Sequence, residues 1–376
     1  MIRIPYPIQS EDFDNRYIQK LMAANIQNFD KANTLLKKIN YQGEVLKVES
    51  LLVAVFEKLL SIHETIKNNL SKNEFTEFEK LFNYHGGNQR KIADFFMQQI
   101  EIPMDSCFYC NIDFINSFTD IADYKNDIDF VNNAQEFELE QLHGVGKRSA
   151  TVIIGERLKR KEGQGKGFTD INQVPRLNKK AKEQLKSLDF LNTHNHFTLD
   201  HFLPQSKYKC LSLCLYNFVP TCYACNSKFK KDKEFSTMDM DKLKLVSPSS
   251  RFFSLHDNFS FKIYYPKDLD DIKTDTDYNL EKEINANNEL VQEFLNLYKI
   301  EGRYVFHKRV LLKLIEKKLK YPESKIKEIS ETYGMSVDEL RETIFGEELF
   351  NADLTTKPLT KLKRDIAKDI NIKGVL

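Results

Sequence analysis

The sequence has no long hydrophobic run and no large excess of charge of either sign. Its longest uninterrupted apolar run, residues 51–56, is far too short to cross a bilayer, so we expect no membrane span and no membrane contact. Residues 1–14 contain no apolar stretch of signal-peptide length, which predicts a cytoplasmic protein. Internal repeats of solenoid length and low-complexity tracts are also absent from the sequence, which argues against a solenoid.

The composition is that of an ordinary globular protein of moderate size. Of the 376 residues, 41% are hydrophobic and 30% are charged, and this length predicts two or three domains. We expect a helical N-terminal region over residues 1–100 and a mostly helical C-terminal region over residues 246–376. The central region, residues 101–245, contains all of the motifs that indicate chemistry.

Local patterns predict several element boundaries outside the central region. Residues 259–265 alternate between apolar and polar side chains, as a half-buried strand does. Capping patterns predict helix starts at three places, namely Ser10, Ser336 and Thr356.

The net charge of +1 conceals an uneven distribution along the chain. Residues 111–140 hold eight acidic side chains against one lysine, and residues 141–190 hold twelve Lys and Arg against five Asp and Glu. Because a phosphate backbone responds to the local field, the second segment predicts a basic surface that can bind nucleic acid. The alternative is a solvated helix face whose charges pair with one another.

Four of the six cysteines form two pairs, Cys107-Phe-Tyr-Cys110 and Cys222-Tyr-Ala-Cys225. In a reducing compartment such pairs indicate metal, and four thiolates make a closed tetrahedral Zn²⁺ site. Residues 111–221 separate the pairs, but closing this loop rather than one of about 30 residues costs only about 1 kcal/mol more. We predict one structural zinc site, with two unrelated thiol pairs as the alternative. Cys210 and Cys214 lack this spacing and are expected to be ordinary buried residues.

A run of polar motifs lies directly before and across the second cysteine pair. It reads Phe197-Thr-Leu-Asp-His-Phe-Leu-Pro204, then Leu215-Tyr-Asn-Phe-Val-Pro220, then Cys222-Tyr-Ala-Cys-Asn-Ser-Lys228. This order resembles the zinc-knuckle branch of the HNH endonuclease family, whose members are also called ββα-metal or His-Me finger nucleases. The resemblance covers residues 197–228 together with the distant first cysteine pair.

The residue types in this run suit phosphodiester hydrolysis, which needs a base for water and a cation for the developing charge. The imidazole of His201, with an ordinary pKa near 6.5, can accept a proton at neutral pH. By resemblance, His201 activates water and Asn217 holds the hairpin that orients it. The resemblance also implies that Asp200 and Asn226 bind the catalytic ion. Their hard oxygens favour Mg²⁺ or Mn²⁺ over zinc.

Two positions depart from the family pattern. The third signature position is Asn226 rather than histidine, a variant that suits an oxygen-binding metal. A lysine often stands three residues after this position, but Phe229 occupies that place here. Lys228 and Lys230 lie on either side, and both are candidate phosphate contacts.

Within the segment between the cysteine pairs, Leu142-His-Gly-Val-Gly-Lys-Arg-Ser-Ala150 resembles a helix-hairpin-helix element. Gly144 and Gly146 permit a tight turn that exposes backbone N–H groups at a helix N-terminus, where they can bind phosphate without reading bases. Lys147 and Arg148 add positive charge at the same place. The alternative is a plain glycine-containing helical turn.

A weaker second copy of this pattern follows in residues 174–181. Arg176 and Asn178 stand there at the glycine positions, with Lys179 and Lys180 directly after them. Because asparagine tolerates a left-handed backbone and arginine tolerates it poorly, we expect this copy to support the first. Together the copies define a helical insertion at about residues 135–192.

Two C-terminal segments, residues 302–307 and 358–364, resemble more loosely the C-terminal helices of HNH proteins from bacterial anti-phage systems. Those systems include Septu-type nucleases that act with an ATPase. The resemblance implies antiviral defence and control by an ATPase or another regulatory protein. His307 lies in the first segment and is expected to be a packing or capping residue rather than a ligand.

The resemblance as a whole implies an α+β fold that is mostly α. It contains a small ββα-metal HNH core with a zinc knuckle, the helical insertion, and helical N- and C-terminal regions. The predicted function is metal-dependent endonucleolytic hydrolysis of DNA, with RNA open as the alternative substrate. Two further functions stay open: a stand-alone restriction or homing-type nuclease, and a catalytically inactive, zinc-stabilised DNA-binding or scaffold protein.

Overall fold

The computed structural model of the chain is mostly helical, with short two-stranded sheets between the helices. This confirms the predicted α+β, mostly α class. Of the helices in the described part of the chain, none is both long enough and apolar enough to cross a membrane. The structure describes residues 1–7, 10–85, 87–99, 101–121, 124–187, 191–285, 288–352 and 356–376.

The chain forms two compact units. The larger comprises Met1–Asn116 and Asn195–Leu376, and the smaller comprises Ser117–His194. The smaller unit contains the predicted insertion and begins earlier along the chain than about residue 135. The division of the remaining chain at about residues 100 and 245 stays a prediction.

The first part of the larger unit is a group of helices. The first helix begins after Ser10, whose side chain accepts a hydrogen bond from the Phe13 amide, as an N-cap serine does. Farther along this helix, the Tyr17 hydroxyl donates to the Leu213 carbonyl at 2.7 Å, which joins the helix to the central region. The elements are α1 (Glu11–Leu36), β1 (Asn40–Tyr41), β2 (Glu44–Val45), α2 (Val48–Leu52), α3 (Leu59–Asn69), α4 (Lys72–Leu81) and α5 (Asn88–Met97).

The smaller unit is built around an apolar core of its own. Its strand β3 pairs with β4. The elements are β3 (Ser117–Ile121), α6 (Asp127–Asn133), α7 (Glu136–Leu139), α8 (Lys147–Gln164), α9 (Lys179–Ser187) and β4 (Leu191–Asn195).

The two predicted hairpin copies share one backbone geometry. Gly144 and Arg176, each three residues before the start of α8 or α9, have φ angles of 76° and 62° in the left-handed region. Arg176 therefore adopts the conformation that the sequence analysis expected arginine to avoid, at a cost of about 1–2 kcal/mol. The surrounding core holds it there, because Val174 and Leu185 are buried. Only the tertiary packing of the unit overrides the local preference.

Asn178 joins the two turns. Its side chain accepts a hydrogen bond from the Ala181 amide at 2.8 Å and donates one to the His143 carbonyl at 2.7 Å. A Cβ atom added to Gly144 would lie 2.5 Å from Asn178 Nδ2, whereas one added to Gly146 would meet open space. Gly144 is therefore required both for its backbone conformation and for the close approach of Asn178.

The central region of the larger unit contains a β-hairpin followed by a helical segment. The hairpin strands are antiparallel, and Asp200 and His201 lie opposite Val219 and Phe218. The segment after the hairpin is a π-helix, a wide turn that is often found at functional sites. The elements are β5 (Thr198–His201), β6 (Phe218–Thr221), the π-helix (Ala224–Lys230) and α10 (Met240–Val246).

The C-terminal part places one strand against the last helix of the chain. The strand predicted over residues 259–265 forms at Phe259–Tyr264 with alternating burial. Its Phe261 and Ile263 amides donate to the carboxylates of Asp365 and Asp369 at 2.9 and 3.0 Å. The elements are β7 (Phe259–Tyr264), β8 (Asn279–Ile284), α11 (Glu289–Leu297), α12 (Ile300–Tyr304), α13 (Lys308–Lys320), α14 (Glu323–Tyr333), α15 (Val337–Phe345) and α16 (Thr360–Asp369).

Of the two helix starts predicted in the C-terminal region, one is correct and the other is wrong. Helix α15 begins after Ser336, whose side chain accepts a hydrogen bond from the Glu339 amide. Helix α16 begins at Thr360 instead of near Thr356. The Thr356 hydroxyl donates to Asp105 Oδ2 at 2.7 Å, so this threonine contacts a distant segment rather than capping a helix.

We predict that Gly144→Ala destabilises the smaller unit by about 1–3 kcal/mol, because alanine disfavours the left-handed conformation and its Cβ would displace Asn178. Gly146→Ala is the matched control and should change the free energy of unfolding by less than about 1 kcal/mol. Denaturant unfolding of the full chain, with hydrogen exchange in residues 142–187 as the readout, measures the change in the free energy of unfolding in each variant. Equal losses in the two variants would contradict the assigned geometry.

Candidate metal centre and active site

The two cysteine pairs meet in one buried group. The sulfur atoms of Cys107, Cys110, Cys222 and Cys225 all lie within 4.8 Å of one another. All four side chains are buried, and none forms a disulfide. The prediction that the two pairs come together is therefore confirmed.

Backbone hydrogen bonds shape the two turns that carry these sulfurs. The Asn111 amide donates to the Cys107 carbonyl at 2.7 Å, and the Asn226 amide donates to the Cys222 carbonyl at 3.2 Å. The Phe108 amide also donates to the Pro220 carbonyl at 3.4 Å, at the end of β6. The first turn is thus attached to the strand that leads into the second.

The sulfur group has the size and chemistry of a tetrathiolate metal site. Sulfurs about 2.3 Å from a tetrahedral ion lie about 3.8 Å apart, within the observed limit. Burial raises the pKa of Cys107 and Cys225. Burial acts in the same direction on Cys110, but hydrogen bonds from the neighbouring thiols and the charge of Arg303 outweigh it and lower its pKa. The group can therefore hold a metal such as zinc.

Cys210 and Cys214 do not join this group. The Cys210 sulfur lies 3.2 Å from His63 Nδ1, and the Cys214 thiol donates to the Leu51 carbonyl at 3.2 Å. Both are fully buried, and burial raises the pKa of each thiol. They pack between helices of the larger unit, as the sequence analysis expected.

Asn217 closes the loop that connects β5 to β6. Its Oδ1 accepts a hydrogen bond from the Leu203 amide at 2.8 Å, and its Nδ2 donates to the carbonyls of Leu203 and Leu211. The Phe202 amide, directly after His201, donates to the Asn217 carbonyl at 2.9 Å. Since Asn217 is fully buried, these bonds hold the backbone on both sides of the loop.

His201 is buried at the end of β5 with a defined ring orientation. Its Nε2 lies 2.9 Å from the Ser212 carbonyl, which can only accept, so Nε2 carries the proton. The ring centres of Tyr84 and Phe218 lie 4.7 and 4.8 Å from the centre of the imidazole ring. Burial, aided by the charge of Lys230, lowers the pKa of His201 to about 4. The imidazole is therefore neutral at pH 7, with Nδ1 as the acceptor.

Asp200 lies beside a buried lysine. Lys230 Nζ is 3.0 Å from Asp200 Oδ2 and 3.3 Å from Oδ1, and it donates to the His201 carbonyl at 2.6 Å. The Tyr109 hydroxyl donates to Asp200 Oδ2 at 2.6 Å. Burial raises the pKa of Asp200, and Lys230 and Tyr109 oppose that rise. Lys230, predicted as a phosphate contact, thus lies in the interior.

Asn226 and Lys228 lie on the π-helix next to this pair. Asn226 is half-buried, and its Nδ2 donates to the Leu199 carbonyl at 3.3 Å, so the amide faces β5. Lys228 is exposed, with its Nζ 5.9 Å from the centre of the Phe229 ring. Asp200 and His201 are therefore neighbours on β5, and the π-helix places Asn226 against the Leu199 carbonyl of the same strand.

The remaining residues predicted to contact nucleic acid lie in the smaller unit, near the starts of α8 and α9. They are two glycines and four cations, and all are exposed: Gly144, Gly146, Lys147, Arg148, Lys179 and Lys180. Lys179 also lies 3.9 Å from Glu183 in a loose ion pair.

Sequence reasoning missed several contributors to these sites. Tyr109 and Tyr84 contact Asp200 and His201, and Arg303 contacts two of the cysteines. Tyr109 lies inside the first Cys-x-x-Cys turn, a position that could have drawn attention to it. Tyr84 carries no local signal. Arg303 lies within residues 302–307, which the loose resemblance singled out, but that resemblance gave this side chain no role at the cysteines, because only tertiary packing brings both residues to the sites.

No protein-family model, curated protein or solved structure matches this chain.

We predict that Cys225→Ser loses zinc and stability, because three thiolates no longer close the tetrahedron. Structural zinc sites contribute about 10–16 kcal/mol of apparent binding free energy in small domains, and we expect at least about 3 kcal/mol to be lost here. Zinc content by atomic spectroscopy and thermal unfolding are the measurements. Cys210→Ser, an equally buried control, should retain its zinc. A Cys225→Ser protein with full zinc content would contradict the four-sulfur site.

We predict that His201 makes the fold less stable in acid. Its folded pKa of about 4 lies below the ordinary 6.5, so between these values only the unfolded chain binds the proton. The contribution of neutral His201 is complete above about pH 6.5 and is lost as the pH falls towards 4, by up to about 3 kcal/mol.

The comparison of wild type with His201→Gln isolates this contribution. Denaturant unfolding near neutral pH and near pH 4 should show that wild type loses more stability than the variant. The same pH dependence in both proteins would rule out a depressed pKa at His201.

Proposed function

We propose that this protein is a metal-dependent HNH endonuclease that hydrolyses phosphodiester bonds of DNA. The observation that carries the proposal is the position of His201 at the end of β5, opposite β6 and beside the π-helix. A hairpin followed by a helical segment, held by four cysteines, matches the order of parts that the HNH resemblance implies. Fold and cysteine geometry support this core.

His201 is the proposed general base. Its Nε2–H donates to the Ser212 carbonyl, which leaves Nδ1 as the only acceptor on the ring. At neutral pH the ring is unprotonated, so Nδ1 can take a proton from an attacking water, although burial disfavours the charged ring that results. The Ser212 carbonyl then stabilises the imidazolium that forms. Asn217 supports this role by holding the loop that contains Ser212.

Asp200 and Asn226 are the proposed holders of a catalytic Mg²⁺ or Mn²⁺. Both offer hard oxygen atoms beside β5, which suits such an ion. The ion would supply charge stabilisation for the phosphate in the transition state. The Lys230 ammonium already neutralises the carboxylate of Asp200. To hold the ion, Asp200 would therefore share its carboxylate between Lys230 and the ion, or release Lys230.

The proposed substrate contacts lie outside this pair. In the smaller unit, the starts of α8 and α9 carry exposed cations, namely Lys147, Arg148, Lys179 and Lys180. This pattern suits sequence-independent binding of a phosphate backbone. The exposed Lys228 is the lysine of the π-helix that can reach phosphate, and we assign Lys230 instead to Asp200. DNA is the proposed polymer, and RNA is the alternative that the assay must test.

Control by a partner, such as an ATPase of an anti-phage system, is part of the proposal. The loose resemblance of residues 302–307 and 358–364 supports it.

The second candidate function is a zinc-stabilised nucleic-acid-binding protein without catalysis. The buried contact between Lys230 and Asp200 favours it, because that contact satisfies the carboxylate that the ion needs.

We predict that the wild-type protein nicks supercoiled plasmid DNA with Mg²⁺ or Mn²⁺, and that chelation stops it. His201→Ala should fold and lose at least about 100-fold in rate, because it removes the base. His256→Ala, a partly exposed histidine elsewhere in the larger unit, is the matched control and should cut at the wild-type rate.

Three outcomes separate the candidates. Cutting by His201→Ala at the wild-type rate would refute the assigned base. Wild-type binding to labelled DNA without cutting, under any of these ions, would favour the non-catalytic binding protein. Cutting of labelled RNA but not DNA would change the substrate and leave the site assignment in place.

A further inference from the structure

Arg303 lies against the four-cysteine group. It is on α12, far along the chain from both cysteine pairs. Its Nη1 donates to the Cys225 sulfur at 3.2 Å, and its Nη2 lies 3.4 Å from the Cys110 sulfur. The same Nη2 donates to Asp113 Oδ2 at 2.7 Å. One guanidinium therefore contacts one sulfur from each pair and the carboxylate that follows the first pair.

The neighbours of Arg303 hold it in this place. The Phe229 ring, just after the second cysteine pair, lies 5.5 Å from the guanidinium carbon. The adjacent Tyr304 hydroxyl donates to the Cys110 carbonyl at 2.5 Å, and Tyr304 is fully buried. These contacts leave the guanidinium little freedom, so its N–H groups stay directed at the sulfurs.

The charge of the group explains why a cation is useful there. Four thiolates around a divalent ion carry a net charge of about −2, and a buried charge of that size is costly unless it is compensated. Arginine is always protonated and presents several N–H donors in a fixed plane. The side chain of Arg303 is only 18% exposed, so its interaction with sulfur is weakly screened.

We propose that Arg303 is an outer-sphere positioning residue of the metal centre, which compensates the thiolate charge through N–H···S hydrogen bonds and couples α12 to the bound metal. The metal centre then joins three segments of the larger unit: residues 107–113, 222–229 and 300–304. This inference depends on the cysteine site alone and does not require nuclease activity.

The coupling has two measurable consequences. Without Arg303, the sulfurs lose two donors and the compensating charge, so the metal should leave faster. Conversely, without metal, the guanidinium loses the charge that attracts it, so residues 300–304 should open more often. Outer-sphere partners of metal ligands typically change metal affinity by about 10–100-fold.

The first experiment measures zinc transfer from the full-length protein to a chromogenic chelator. Arg303→Met keeps much of the apolar side chain and removes the charge and donors, and it should release zinc about 10-fold faster or more. Arg303→Lys keeps the charge but loses the planar set of N–H donors, so its rate of zinc release should lie between those of wild type and Arg303→Met. Arg309→Met removes an arginine that is 88% exposed on α13 and should match wild type.

The second experiment measures hydrogen exchange by mass spectrometry in the full-length protein with zinc and after chelation. Chelation should raise exchange in residues 300–304 of wild type, and Arg303→Met should exchange fast there even with zinc bound. Should Arg303→Met fail to fold, the same comparison is made with Arg303→Lys.

Three results would overturn the proposal. They are zinc release from a folded Arg303 variant at the wild-type rate, unchanged exchange in residues 300–304 after chelation, and purified wild type without bound metal. Plasmid cleavage is not a readout of these experiments, so their outcome is separate from that of the nuclease proposal.

Discussion

The four-cysteine group is the constraint from which the arrangement of the central region follows. It brings Cys107 and Cys110 to Cys222 and Cys225 across the long segment between the pairs. The backbone hydrogen bond from the Phe108 amide to the Pro220 carbonyl then sets the first Cys-x-x-Cys turn beside β6. Asn226 follows directly after Cys225 in the second turn. The π-helix after the second cysteine pair thus lies against β5, the strand of Asp200 and His201, through the contact of Asn226 with the Leu199 carbonyl. A bound metal would convert this geometry into folding free energy.

Burial gives the residues at the end of β5 their chemical character. His201 is neutral because desolvation opposes its protonation, and Asp200 keeps a partner because an isolated buried carboxylate is costly. Breaking a buried ion pair costs about 3–5 kcal/mol, so Lys230 and Asp200 behave as one unit. The nuclease and the binding-protein interpretations separate at this unit, because the proposed catalytic ion would need the carboxylate that the Lys230 ammonium already contacts.

The smaller unit illustrates how a geometry can repeat while its residues change. Gly144 and Arg176 occupy equivalent left-handed positions, and Gly146 and Asn178 equivalent positions before a helix. Glycine permits this turn intrinsically, whereas arginine is held in it by packing. Asn178 then contacts the first turn through the His143 carbonyl, so the second copy supports the first, as its sequence suggested. Exposed cations follow both turns, which is consistent with the proposed phosphate contacts.

The sequence by itself determined the features that depend on local spacing. A Cys-x-x-Cys turn brings two thiols together whatever surrounds it, and the alternation over residues 259–264 fits one face of a strand. Tertiary structure alone decided the partners of the site residues: Lys230 beside Asp200, Tyr84 beside His201, and Arg303 against the sulfurs. It also decided where α16 begins. These contacts join segments far apart in the chain, and their energies come from burial and charge compensation, which a local pattern does not encode.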